Sequence, residues 1–287
     1  MTEVTLNQSV FNGCDTHVHV IGDPDSYPMV SERRYTPSIA SVENLLQHLK
    51  IQQLNRVVIV QPSVYGTDNQ CMVDALSVLG SSARGVAVLA KNISSHALLQ
   101  LDQQGVRGAR LNFESTSNHN TNQLKESLEF WAPRLEPLGW HIQVYAPFDV
   151  VCASANSIAR LPIPVVLDHF ALWPQSSADI PNTEIISSLL VQGCIYIKLS
   201  ASYRSASYSE ESLKNLAHRL LELRPDRILW ASDWPHTNRE PGVGPFEVSR
   251  YRDVNPQQLI RERFMWLRTQ ELTRQVLVNN PSHLYSF

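Results

Sequence analysis

The heptapeptide CDTHVHV, residues 14–20, places an aspartate and two histidines, Asp15, His17 and His19, at alternate positions of an otherwise apolar run. Alternation along a strand turns His17 and His19 to the same side. A lone strand histidine is more often a hydrogen-bonded core residue than a ligand. Two on one face beside a carboxylate can hold a metal ion, orient a carbonyl or move a proton. Comparable residues close later apolar runs: His169 follows Asp168 in LDHF, and Asp233 lies between Ser232 and Trp234 in ASDWPH. A carboxylate ending a stretch as apolar as RILWAS needs a partner or a task, because burying it bare is prohibitive. The plainer account of Asp233 is an ion pair with an arginine, and that of Asp168 and His169 is a structural hydrogen bond.

Such residues need elements to position them. Short runs rich in Val and Ile recur at 13–20, 56–62, 83–89, 106–113, 140–147, 164–170, 194–200 and 227–234. Most are too short and too β-branched for helices. Amphipathic segments lie between them at 41–54, 69–80, 95–105, 121–139, 183–193 and 210–223, several closing on a glycine stop. The first begins at Ser41 with Glu43 close behind, the pattern of a capped start. Eight strands alternating with helices predict a parallel sheet, and this chain length predicts its closed form, one (β/α)8 barrel domain over residues 1–287. A doubly wound open sheet would announce itself by a glycine-rich first turn. The first strand leads instead into VIGDPDSYPMVSERRYTP, a long loop with three prolines. Residues 21–37, with Tyr35 near their end, could form a lid.

In such barrels the reacting groups sit at the C-terminal ends of the strands. Polar residues fall there on nearly every strand: His17 and His19, Gln61 and Ser63, Lys91 and Asn92, Arg110 and Asn112, Tyr145, His169, then Lys198, Ser200 and Arg204, and finally Asp233 and His236. Repetition on this scale describes a ring. His48, His96, His119, His141, His218 and His283 fall in helices, loops or a strand start and read as ordinary, while Arg107 enters its strand at the wrong end and reads as structural. Trp234 and Pro235 are expected to shape the last loop.

Composition excludes several partners. Twenty-four basic and 27 acidic residues give a net charge of −3 with no long run of either sign, so neither nucleic acid nor an anionic membrane is expected to bind. Cys14, Cys71, Cys152 and Cys194 form no CxxC pair, which predicts free thiols in a reducing compartment. The first ten residues lack a signal-peptide build, and no apolar stretch reaches the roughly 20 residues a bilayer needs. A soluble cytoplasmic protein acting on a small molecule is the expectation.

The HxH pair, the late histidine and the last-strand aspartate together resemble the amidohydrolase superfamily. NNPSHLYSF, residues 279–287, resembles the close of its second large branch, amidohydrolase-2. CDTHVHV, ERRYTP, VVIVQPSVYGTDNQCMVDAL, ARGVAVL, GVRGARLNF, LGWHIQVY, VVLDH and ILWASDWPH, in this order, resemble the 2-pyrone-4,6-dicarboxylate lactonase group of that branch. The resemblance spans essentially the whole chain. It implies hydrolysis of a small carboxylated lactone, as in aromatic catabolism, with no cofactor required. His17, His19 and His169 would orient and polarise the carbonyl, Asp233 would be the general base, and Tyr35, Ser63, Arg110, Tyr145 and Arg204 would hold the substrate and its carboxylates. The chemistry is coherent on its own terms, since ester hydrolysis needs a base aimed at water and donors where oxyanion charge grows.

Two further arginines of the lactonase pattern are replaced here, at Thr116 and at Leu172, which Trp173 follows. Their loss predicts a substrate with at most one carboxylate, or with an apolar substituent. A binuclear metal site is not expected, because neither the fourth nor the fifth strand ends in a bridging carboxylate or lysine. One zinc ion on His17, His19, His169 and Asp233 is the alternative, and it would make the protein a metal-dependent decarboxylase of the same branch. Hydrolysis or isomerisation of a sugar-acid lactone is another reading. A binding protein without catalysis is a third, although a mere binder has no use for a general base.

Overall fold

A computed structural model describes residues 12–114, 120–174, 180–205 and 208–287 of the chain. Eight strands form one sheet: β1 (Cys14–Val18), β2 (Arg56–Val60), β3 (Ala83–Ala87), β4 (Val106–Asn112), β5 (His141–Tyr145), β6 (Val165–Leu167), β7 (Ile195–Leu199) and β8 (Ile228–Trp230). Each pairs in parallel with the next in sequence. Just past β1 and β8 the sheet closes: the His19 N–H donates to the Trp234 carbonyl at 2.8 Å and the Asp233 N–H to that of His17 at 3.1 Å. This is the expected (β/α)8 barrel. Asp15 adds a strut across the seam, accepting from the Ser232 N–H at 3.0 Å and pairing with His48 at 3.3 Å.

Strand alternation separates two apolar layers. Val58, Val60, Val86, Val166 and Leu229 turn inward with Cys14, Tyr196, Leu284 and Tyr285, while Val57, Ile59, Ile142, Val165 and Ile197 pack outward beneath the helices. The lower barrel is therefore a packed core, plugged by Tyr285 from the last helix, whose ring stands edge-on to His141 at 5.1 Å. Gly108 is required beside the His141 ring, since a Cβ there would lie 2.4 Å from it.

Crossover helices α1 (Val42–Gln52), α2 (Gln70–Leu79), α3 (Ser95–Gln103) and α4 (Thr121–Leu135) match the amphipathic segments. So do α7 (Ile180–Gln192) and α8 (Glu210–Leu223), although α7 starts three residues before the predicted 183. The α1 capping box is completed by Asn44, whose side chain accepts from the Ser41 N–H, and not by Glu43. Two short helices after β5, α5 (Phe148–Ala153) and α6 (Ala155–Ile158), carry too little periodicity to be read from sequence. Three more close the chain: α9 (Pro256–Leu267), α10 (Gln270–Arg274) and α11 (Asn280–Tyr285). No helix among the described residues is long and apolar enough to cross a membrane. All four cysteines are free, and three of them are buried.

The proline-rich loop after β1 is tied down at several points. Ile21 pairs with Ala40, the Tyr27 hydroxyl donates to Asp74 at 2.8 Å, and the Val30 N–H donates to the Val64 carbonyl at 2.9 Å. A two-residue ribbon, Thr36–Pro37 beside Val248–Ser249, joins it to the loop after β8. Tyr251 bonds the Ser38 carbonyl in the same seam. Residues 21–37 thus build a wall of the upper face, with Tyr35 on its inner side.

Candidate active site

Alternation also builds the upper layers of the barrel. Residues two apart share a face, so His17 with His19, Arg110 with Asn112, Gln143 with Tyr145, and Lys198 with Ser200 rise as paired tiers from β1, β4, β5 and β7. The other two groups arrive on unusual backbone. After β6 the four residues His169–Leu172 all have positive φ, from 48° to 56°, and after β8 Asp233 has φ 63° ahead of a cis Trp234–Pro235 bond. Left-handed backbone costs a residue with a Cβ on the order of 1–2 kcal/mol. Its concentration on the residues that carry His169 and Asp233 marks the upper face as the functional one.

Asp233 is the centre. Its Oδ2 accepts from the Tyr203 hydroxyl at 2.7 Å and from Arg204 Nη2 and Nε at 2.8 and 3.0 Å. Its Oδ1 is buried and makes no hydrogen bond with the described residues, yet faces His17, His19 and His169 Nε2 at 3.7, 3.8 and 3.9 Å. The outer nitrogens fix what the inner ones offer. His19 Nδ1 lies 2.7 Å from the Val60 carbonyl, which can only accept, so a neutral His19 turns a lone pair inward. His17 Nδ1 meets the Asp168 carboxylate at 3.2 Å, with the same consequence. His169 Nδ1 meets the Ser200 hydroxyl at 2.9 Å and can accept from it, leaving Nε2–H as an inward donor.

Below this cage lies a second buried charge set. Asp168 accepts from Gln143 Nε2 at 3.0 Å and faces Lys198 Nζ at 3.4 Å, while Lys198 donates to Gln143 Oε1 at 2.7 Å. Asp168 therefore serves His17 and Lys198, not its neighbour His169. Burial opposes the charge on Asp168, but Lys198 and His17 hold its carboxyl well below the usual range. Burial likewise works against Asp233, and Arg204 with the imidazoles overrides it, so Asp233 is held well below as well. Burial lowers Lys198 to about 8, with Asp168 pulling the other way.

Burial pushes His19 and His169 down to about 4 and His141 to about 3. Folded values below the ordinary 6.5 mean that the unfolded chain takes up protons first as pH falls. The stability these histidines contribute is complete above pH 6.5 and is lost as pH drops from there toward 4; the depressed Asp168 and Asp233 extend the loss below 3.8. Melting temperatures across pH 4–8 should be level above 7 and fall steadily below 6.5. A Tm unchanged from pH 7 to 4.5 would contradict the burial of neutral imidazoles.

A cleft of about 220 Å³ opens above the cage, small enough for a single-ring substrate. Tyr35, Ser63, Arg110, Tyr145 and Arg204 line it together with His19, His169 and Asp233. His17 completes the cage from the tier below. Arg204, read from sequence as a carboxylate clamp, is engaged with Asp233, so the ion-pair account of that aspartate also holds a part. Lys91 and Asn92 do not reach the cleft: β3 ends at Ala87, Asn69 holds Val88 through both its amide and carbonyl, and the chain turns outward. Gln61 is spent on loop carbonyls, including that of Asp68 at 2.5 Å. Leu172 is half-buried and does not line the cleft; Thr116 and His119 lie outside the described residues.

Sequence reading missed Tyr203, Gln143, Asn238, Arg239 and Arg252, and gave Asp168 and Lys198 no task at the site. Gln143 and Lys198 had a signal, since each sits two residues before a ring position and therefore on its face. The cleft residues of the last loop, Asn238, Arg239 and Arg252, had none, because nothing local reports how that loop folds back. Arg107 is structural as read, bonding Asp102 at 3.0 Å.

The donor set also fits a divalent ion. Three ligand atoms from His17, His169 and Asp233 lie within 4.8 Å of one another, and lone pairs converge with an orphaned carboxylate oxygen. Among the described residues β4 and β5 end in Asn112 and Tyr145, neither of which is a bridging carboxylate or lysine for a second ion.

A family profile described as Amidohydrolase matches residues 14–287. The chain is 32% identical to a 2-pyrone-4,6-dicarboxylate hydrolase of Comamonas testosteroni, over 94% of this chain and 89% of that protein. It is 27% identical to a 4-sulfomuconolactone hydrolase of Hydrogenophaga intermedia, over 94% and 88%. Among solved structures, a probable 2-pyrone-4,6-dicarboxylic acid hydrolase from Acinetobacter baumannii, with citric acid bound, superposes with a TM-score of 0.79 at 26% identity, covering 96% of this chain and all of that one.

Proposed function

The chain belongs to the amidohydrolase family, and from that premise we propose that it hydrolyses the ester bond of a small carboxylated lactone with Asp233 as general base. The observation that carries this reading is Asp233 Oδ1, ionised, unbonded and ringed by three imidazole nitrogens. Water fits such a cage because it donates twice. One hydrogen goes to Asp233 Oδ1 and one to an inward lone pair of His17 or His19, which leaves the oxygen lone pair to attack. His17 and His19 in this scheme hold water, a better match to their lone pairs than polarising a carbonyl.

The lactone carbonyl then needs donors. His169 Nε2–H supplies one, and Arg110 supplies more: its Nη1 bonds the Gln61 carbonyl at 3.0 Å while its Nε has no hydrogen-bond partner among the described residues. Attack forms the C–O bond and moves a proton from water to Asp233. Collapse of the tetrahedral oxyanion breaks the ring C–O bond, and the same proton passes to the departing oxygen. The product is an open chain with one new carboxylic acid, which keeps the second hydrogen of the water and ionises to a carboxylate on release to solvent. Each preorganised donor is worth about 2.7–4 kcal/mol at the transition state. A substrate carboxylate that draws Arg204 off Asp233 would also sharpen the base when it is needed. The relatives named as hydrolases of lactones support the reaction class.

No cofactor is needed for these steps. A divalent ion on His17, His19, His169 and Asp233 would instead supply a water of lowered pKa. The test is elemental analysis of the purified protein with a lactone panel assayed before and after chelation. Hydrolysis at substoichiometric metal that survives chelation is expected. One zinc per chain with activity abolished on chelation would reverse the assignment toward the metal-dependent decarboxylase.

A further inference from the structure

Tyr203 touches the general base, yet the hydrolysis gives it no task. It lies in the short turn Ser202–Arg204 that follows β7, next to Arg204 in sequence. Ala201 enters that turn with φ 51°, and its carbonyl accepts from the Arg204 N–H at 2.8 Å. Donors from two adjacent residues thereby reach one oxygen: the Tyr203 hydroxyl at 2.7 Å and Arg204 Nη2 at 2.8 Å both meet Asp233 Oδ2. The Ser202 hydroxyl anchors the turn to α9, donating to Glu262 at 3.2 Å.

The two donors differ in what can reach them. Arg204 lines the substrate cleft, where an anion can compete for its guanidinium. Tyr203 does not line the cleft but a separate cavity of about 400 Å³, shared with Ser202 and Glu262. The Arg252 guanidinium covers its ring, 5.2 Å from the centroid, and His236 stands edge-on to it at 6.0 Å. The phenol has one hydrogen, and the charged acceptor at 2.7 Å takes it ahead of His236 Nδ1 at 3.4 Å. The phenol oxygen is then left to accept from a His236 Nδ1–H. A donor kept out of the cleft and backed by a second group is not competed away by substrate.

We propose that Tyr203 is the positioning residue that keeps Asp233 aimed while a substrate carboxylate occupies Arg204. The inference rests on the proposed hydrolysis for the event that draws Arg204 away, though not for the bond itself. Without Tyr203, that event would leave Oδ2 buried with no donor among the described residues, and the carboxylate free to turn about χ2. Oδ1 would then lose its place beside the His17 and His19 lone pairs that hold the water. With Tyr203 the Oδ2 bond persists, the carboxylate plane is fixed, and Oδ1 keeps its 3.7–3.9 Å approach to the three imidazoles. Tyr203 acts through Asp233 and touches neither water nor lactone.

The test reads binding and turnover separately. Calorimetric titration with benzoate and with benzamide compares a charged ligand with a neutral one of the same shape. The wild-type protein should bind benzoate about 10-fold or more tightly than benzamide. Tyr203→Phe keeps the ring and its packing. It should weaken benzoate by about 10- to 100-fold, the worth of a hydrogen bond to a charged group, and benzamide by less than about threefold. Asp233→Asn with Tyr203→Phe should bind benzoate as tightly as Asp233→Asn alone, because no charge is left to be stranded. Tyr203→Phe should also lower kcat on a pyrone monocarboxylate by about 10- to 100-fold, the effect of a misplaced reacting group, and spare the unsubstituted pyrone, on which Arg204 stays in place. Equal losses for benzoate and benzamide, no loss, or a benzoate loss that persists beside Asp233→Asn would overturn the proposal. So would an unchanged kcat on the monocarboxylate, or a wild-type protein indifferent to the ligand's charge. A charge-dependent loss of binding with no pyrone turned over by the wild-type protein would sink the proposed reaction and leave the brace on Asp233 standing.

Discussion

Asp233→Asn lowers kcat for lactone opening by about 100- to 10,000-fold, the range that a positioned general base supplies. The change is nearly isosteric, so the loop and its positive-φ backbone need not move, and asparagine tolerates that conformation well. What it removes is the acceptor facing the three imidazoles. An amide at that place cannot take the proton of the attacking water, and if its NH2 group faces inward it competes with water for the His17 and His19 lone pairs. Arg204 loses its charged partner at 2.8 Å and is released toward the cleft. Affinity for a carboxylated product analogue should therefore hold or improve while turnover collapses. That split, read from steady-state kinetics beside a binding titration, is the signature of a base. A variant that keeps more than a tenth of wild-type kcat would remove Asp233 from the chemistry, and loss of both affinity and turnover would point to a purely structural ion pair.

The barrel was legible because its strands are regular. Period-2 alternation and glycine stops report local geometry, and eight repeats leave few topologies to choose from. The ring was legible for the same reason: HVH, LDH and ASDW sit where a strand must end. Roles were harder to read than positions. His17 and His19 look like carbonyl donors until their outer nitrogens are seen bonded to Asp168 and to the Val60 carbonyl, contacts 151 and 41 residues away in sequence. Arg204 reads as a substrate clamp because nothing near it in sequence says that Asp233, 29 residues on, will take it. Counting arginines at two inherited positions likewise says nothing of Arg239 and Arg252, which a folded-back loop brings to the same cleft. Side-chain chemistry is written locally; partners are set by topology.

Asp168→Ala has the larger structural consequence. Asp168 and Lys198 are both fully shielded from solvent, and the carboxylate also anchors His17 Nδ1 and Gln143. Deleting it leaves an ammonium in the barrel with Gln143 Oε1 as its remaining close oxygen and removes the acceptor that sets the His17 tautomer. Breaking one side of a buried pair typically costs about 3–5 kcal/mol. For a chain of this size, with Tm moving about 2–4 °C per kcal/mol, the melting temperature should fall by roughly 6–20 °C. Lys198, already lowered to about 8, would drop further and shed its proton, which limits the loss and makes it smaller at high pH. Removing the second charge tests the account directly. Asp168→Ala with Lys198→Met should be more stable than Asp168→Ala alone, because no unpaired charge remains, yet activity should stay depressed since His17 still lacks its anchor. Orienting carboxylates behind a catalytic histidine are worth up to about 10,000-fold. Stability restored together with activity would mean that Asp168 serves Lys198 only. A single variant as stable as the wild-type protein would mean that the pair is not charged in the folded state.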